Sequence, residues 1–88
     1  MTDEIRKILT EKLSATHLEI SDDSHRHAGH AGAKQGGHFT VKIVSQDFAG
    51  KSLPARHKLV YAALNGLMKT KIHALALKTL TPEEFKLP

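Results

Sequence analysis

Three observations assign this chain to the mixed α/β class, with the order α-β-β-α-β-α. Residues 38–45 and 72–79 alternate apolar and polar side chains with the period of a half-buried strand. Between them Leu59, Val60, Ala63, Leu64, Leu67 and Met68 recur with helical period. A strand, a helix and a strand in series form a right-handed βαβ unit whose two strands run parallel. A three-stranded mixed sheet with helices packed on it is therefore expected, with strand two central.

Taking the elements in order, Thr2 or Asp3 caps a first helix over about residues 3–15, with Ile5, Ile8, Leu9 and Leu13 on one face. Residues 17–21 alternate and turn Leu18 and Ile20 inward on a short first strand, which pairs antiparallel with the second. Strand two, residues 38–45, places Phe39, Val41 and Ile43 on one face. A turn follows at residues 48–52, and Ser52 or Leu53 caps a second helix with Pro54 in its first position, running to about residue 69. Residues 72–79 form strand three. Thr81-Pro82-Glu83-Glu84 has the form of a cap followed by acidic first-turn residues, opening a short C-terminal turn.

The 88 residues make a single domain over positions 1–88, able to bury roughly 60–65% of the unfolded surface. With no cysteine the chain has no disulfide, no thiolate ligand and no Cys nucleophile of its own. No apolar run approaches the ~20 residues of a membrane span. The acidic start Met1-Thr2-Asp3-Glu4 is unlike a signal peptide, so a cytoplasmic location without membrane contact is expected. Charge is distributed unevenly. Residues 1–23 carry −3 and residues 81–88 carry −1, whereas residues 24–80, with nine basic side chains and only Asp47 acidic, carry +8. Such a field favours anionic partners, although a small domain also needs net charge for solubility.

The segment between strands one and two, residues 23–37, is rich in glycine and histidine. His25, His27, His30 and His38 fall within fourteen residues, beside Gly29, Gly32, Gly36 and Gly37. Glycines at this density make an ordered helix costly, so a flexible loop displaying imidazoles is expected. Loops this long are usually functional, and imidazole is the commonest metal ligand. The tract is internal and flanked by strands, which argues against an affinity tag. Topology adds another histidine: if strand three runs parallel beside strand two, its start, His73, lies at the same sheet end as His38 and the loop.

Phe48-Ala-Gly-Lys-Ser52, Arg56-His57-Lys58-Leu-Val-Tyr61-Ala-Ala-Leu64, His73-Ala-Leu75 and Thr81-Pro-Glu-Glu84, in that order and spacing, resemble the BolA family. His38-Phe39 entering strand two fits as well, and the resemblance covers essentially the whole chain. It implies a class II KH-like fold, in agreement with the element order. It also implies a partner of monothiol glutaredoxins that shares a bridging 2Fe-2S cluster, with glutathione, in iron–sulfur trafficking or iron regulation. By the resemblance His73 is one cluster ligand, and the loop histidine three places after a serine, here His27 after Ser24, is the second, with His30 and His38 as alternates. The chain departs from the family's usual residues at Gly36-Gly37 (often Glu-Thr), at Lys58 (usually Arg) and at Phe85 (usually Trp).

Two imidazoles on one iron are known chemistry, since His₂ replaces Cys₂ on one iron of Rieske-type centres. A chain without thiolates needs a partner to supply the remaining ligands. The alternatives are a backbone-bonded structural role for His73 and a zinc site, although structural zinc usually takes thiolates. An enzyme is not expected. There is no nucleophile elbow, phosphate loop or carboxylate pair, and Gly50-Lys51-Ser52 lacks the rest of a Walker A motif. The second functional hypothesis is a DNA-binding transcriptional regulator. Lys51, Arg56, His57 and Lys58 crowd the start of helix two, and Lys69 and Lys71 follow its end. An aromatic platform for single strands is missing, so duplex phosphate is the expected target.

Overall fold

The computed structural model describes residues 2–24 and 37–86. Helix α1 spans Thr2–Leu13, strand β1 His17–Asp22 and strand β2 Gly37–Val44. A 3₁₀ turn at Gln46–Phe48 leads to helix α2, Leu53–Ala63, and helix α3, Asn65–Thr70. Strand β3, Ile72–Leu80, and helix α4, Pro82–Lys86, complete the described chain. The sheet order is β1-β2-β3, with β1 antiparallel and β3 parallel to β2. The expected topology is observed.

Helices cover one face of the sheet. Ile5, Leu9 and Leu13 of α1 join Phe39, Val41, Ile43, Phe48, Val60, Leu64 and Ile72 in the buried core. Leu18, Ile20, Leu75 and Leu77 pack against its margin. The opposite face is open: Glu19, Ser21, Thr40, Ala74, Ala76 and Lys78 are exposed on it. Near its far end α4 folds back, so that Phe85 stacks on His17 with ring centroids 4.6 Å apart and Lys42 Nζ lies 5.2 Å from the Phe85 centroid.

Several boundaries differ from expectation. Helix α1 stops at Leu13 because Ser14 takes φ 49°, which ends the helical backbone. Strand β2 begins one residue early and releases Ser45, whose hydroxyl bonds the Leu13 carbonyl and accepts from the Asp47 amide at 3.1 Å. Ser45 is fully buried, and this double use ties the end of α1 to the 3₁₀ turn. The second helix is two pieces rather than one run to residue 69. Leu64 sits at φ −96°, ψ 13°, and the weak helix formers Asn65 and Gly66 follow. Backbone bonds Leu64→Val60 (3.0 Å) and Met68→Leu64 (2.9 Å) bridge the break, and Leu64 itself stays in the core.

Two of the three expected caps form, whereas α1 begins at Thr2, so Thr2 and Asp3 lie within the helix rather than at its cap. Ser52 accepts from the Ala55 amide at 3.3 Å. Thr81 and Glu84 form a reciprocal capping box, Glu84 N–H to Thr81 Oγ1 at 3.1 Å and Thr81 N–H to Glu84 Oε1 at 2.9 Å.

Candidate functional site

The parallel pairing of β2 with β3 starts with an irregularity. Gly37 is opposite Ile72 and His38 opposite Ala74, so His73 is an extra residue in β3. The reason lies in side-chain parity. Ile72 is buried in the core while Leu75 and Leu77 pack against it from the same side, yet 72 and 75 have opposite parity on a regular strand. A bulge absorbs the odd residue and leaves both His73 and Ala74 exposed. His73 therefore meets His38. The two ring centroids lie 5.2 Å apart with their planes inclined by 51°. The meeting expected from topology occurs, by means of a bulge that simple alternation did not reveal.

Hydrogen bonds fasten the two ends of the 23–37 segment together at this place. Asp23 N–H donates to the His38 carbonyl at 2.7 Å, and His38 N–H donates to Ser24 Oγ at 3.0 Å. The Asp23 carboxylate accepts from Ser21 (2.8 Å) and Thr40 (2.6 Å), and the Asp22 carboxylate accepts from Ser24 N–H at 3.0 Å. Gly37 N–H donates to the Lys71 carbonyl at 2.8 Å, joining the loop's exit to the start of β3. At Gly37 a Cβ would collide with the Phe39 ring, 2.8 Å from its Cζ, so glycine here makes room for a core aromatic. Asp23, His38, Thr40, Ala74 and Ala76 line an open cleft of about 260 Å³. His27 and His30, the other expected ligands, lie outside the described residues, as does His25. Among the described residues no group of three or more His, Asp or Glu side chains is gathered as a metal site.

The basic residues divide into two kinds. Lys51 and Lys58 are exposed about the start of α2, and Lys69 is exposed in α3. Lys71 is exposed, with Nζ 3.7 Å from Glu4. Arg56 requires a correction as a nucleic-acid contact. It is 8% exposed and its guanidinium is committed within the protein. Nε donates to the Lys51 carbonyl at 2.9 Å, and Nη1 to the Thr79 carbonyl at 3.1 Å and to Glu84 at 2.7 Å. Nη2 donates to the second Glu84 oxygen at 3.2 Å. The Arg56 bond, and after it the Thr81 amide, hold the Glu84 carboxyl down to about 2, while the Glu84 bond raises Arg56. The capping box was legible as Thr81-x-x-Glu84; nothing in the spacing announced that Arg56, twenty-eight residues away, would share its carboxylate.

The model of the family described as BolA-like protein matches residues 9–84. The chain is 44% identical over 84 residues to the chloroplastic protein BOLA1 of Arabidopsis thaliana, an alignment that covers 91% of this chain and 52%, about half, of that protein. It is 40% identical over 86 residues to the DNA-binding transcriptional regulator BolA of Escherichia coli, covering 93% of this chain and 80% of the relative. The solved BolA domain of SufE1 from A. thaliana superposes with a TM-score of 0.82 at 43% identity, over 93% of this chain and 92% of that one.

Proposed function

This chain belongs to the BolA family, and we propose that it is a non-catalytic partner of a monothiol glutaredoxin, sharing a bridging 2Fe-2S cluster in iron–sulfur trafficking or iron regulation. One observation carries the reading: an exposed histidine on a bulge, 5.2 Å from a second imidazole, at the anchors of a histidine-rich loop in a chain without cysteine. His73 would be one ligand. His27, three residues after Ser24 in the sequence, would be the second. His30 and His38 are its alternates. Two imidazoles on one iron in place of two thiolates would raise the cluster potential. The chain's own share is to hold these donors at an open sheet end where a partner can approach. The thiolates must come from that partner and from glutathione.

Co-expression with a monothiol glutaredoxin should yield a 1:1 complex with one 2Fe-2S cluster, while this chain alone holds none. His73→Ala should shift the absorption and circular-dichroism spectra toward those of glutaredoxin alone, and an unchanged spectrum removes His73 from the ligand set. Among loop variants His27→Ala should have the largest effect.

A second reading, a DNA-binding transcriptional regulator, is favoured by the exposed lysines about α2 and by the E. coli relative described by that activity. Lys51 and Lys58 would contact phosphate, joined by Lys69 and Lys71; Arg56 is engaged internally. Neutralising Lys51 and Lys58 together should shallow the log–log salt dependence of duplex binding by about two. Binding indifferent to both charges sinks this reading.

A further inference from the structure

Strand β3 lies at the edge of the sheet, so every second residue directs its backbone N–H and C=O away from β2. The bonds that are made fix the phase. The Leu80 carbonyl accepts from Ser45 N–H on the β2 side. The Leu75 and Thr79 carbonyls instead accept side chains of α2, from Tyr61 Oη at 3.3 Å and from Arg56 Nη1 at 3.1 Å. Leu75, Leu77 and Thr79 therefore face outward, and between the two capped carbonyls Leu77 presents both of its backbone groups. The bulge at His73 bounds this stretch on one side and the Arg56 clamp on the other, so it suits a short segment.

Helix α2 runs beside this edge, with Arg56 near Thr79 and Tyr61 near Leu75. Leu53, His57 and Tyr61 follow at intervals of four and share one flank of the helix. Leu53 is 58% and Tyr61 39% exposed, two of the three large apolar side chains left open among the described residues. Leu75 and Leu77 pack on the margin of the core yet are only half-buried, unlike Val41 and Ile43 of the central strand. On the open side of the sheet the edge carries the short Ala74 and Ala76, and then Lys78.

Charge selects the occupant. From Leu53 to Leu80 the sequence has no Asp or Glu, while Lys58, Lys69 and Lys78 are exposed. A second copy of the chain would set these cations against their own kind, which disfavours self-pairing. The other edge strand, β1, carries Glu19 and Asp22, and its Leu18 carbonyl is taken by Arg6 at 3.2 Å.

We propose that the outer edge of β3 takes an extended acidic segment of a partner protein as a fourth strand. Alternate apolar side chains of the segment lie against Leu53 and Tyr61, and the acidic ones between them lie beside Lys78. Backbone bonds form at Leu77, and the exposed Tyr61 hydroxyl yields the Leu75 carbonyl when the segment arrives. Neither the histidines nor a cluster takes part, so this surface stands apart from the glutaredoxin reading.

The probe is a fluorescein-labelled decapeptide of alternating valine and glutamate, titrated into the full chain and read by anisotropy. It should bind saturably, and its valine–lysine counterpart roughly tenfold more weakly. Two further probes, methylated on the valine amides or on the glutamate amides, separate backbone pairing from plain charge attraction. Only one of the two should retain binding, because only one set of amides faces β3. Tyr61→Phe frees the Leu75 carbonyl and should tighten binding about threefold, whereas Lys78→Glu should weaken it roughly fivefold. Far-ultraviolet circular dichroism confirms that both variants are folded, and amide resonances of Leu75 and Leu77 should shift on binding. Absence of saturable binding, equal binding of both methylated probes, or affinity indifferent to Lys78→Glu overturns the proposal. A ten-nucleotide single strand that displaces the peptide and shifts the same amides more strongly would assign the groove to nucleic acid instead.

Discussion

The two ends of the β2–β3 pair use polar side chains in opposite ways. At the end where β3 stops, Arg56 spends four donors on two carbonyls and both oxygens of Glu84, and the guanidinium is almost wholly buried. At the end where β3 starts, His73 is exposed on a bulge beside His38, at the point where a long glycine-rich segment leaves and returns. One end engages its guanidinium within the protein, and the other leaves the His73 imidazole exposed. Residue type alone would rank the arginine as the stronger candidate for an external anion. Its partners decide otherwise, because a guanidinium whose donors are in use cannot be lent to a phosphate without leaving two carbonyls and a carboxylate unmatched.

Substitution at the two ends should separate stability from function. Arg56→Ala removes the donors that Lys51, Thr79 and Glu84 share, and should cost about 2–3 kcal/mol, read as a drop in urea midpoint. His73→Ala, at an exposed bulge, should stay within about 0.5 kcal/mol of the parent. Equal losses at both ends would erase the contrast.

A smaller effect should follow from acid. The Glu84 carboxyl is depressed from 4.5 to about 2, so its contribution to stability is complete above the ordinary carboxylate range and fades as pH falls toward 2. Melting temperature measured from pH 5 to pH 2 should decline, and Glu84→Gln should flatten part of that decline. Glu19, lowered by its bond to His17 and by Lys42, supplies a further share that the variant leaves in place. An identical acid slope in the parent and in Glu84→Gln would show that the clamp does not govern the acid response.

The caps and the core faces were readable without coordinates because each depends on neighbours in the chain. Ser52 and Thr81 bind amides three residues ahead, and Phe39, Val41 and Ile43 share a face by the two-residue period of a strand. The order of elements likewise implied a third strand parallel to and beside the second, and through that the meeting of His38 with His73.

Long-range partners and phase were a different matter. The break at Leu64 comes where a buried leucine and two weak helix formers compete over the direction of the chain, and packing resolves that competition. The bulge at His73 arises because Ile72 and Leu75 must both reach one core from positions of opposite parity. Arg56 turns inward because Thr79 and Glu84, distant in sequence, are brought beside it by the end of β3 and the turn into α4. Local hydrogen bonding and periodicity are properties of a chain segment and can be read from its residues. Which charge is spent inside the protein and which is left for a partner depends on what tertiary packing brings within three ångströms of it, and only the folded structure decided that.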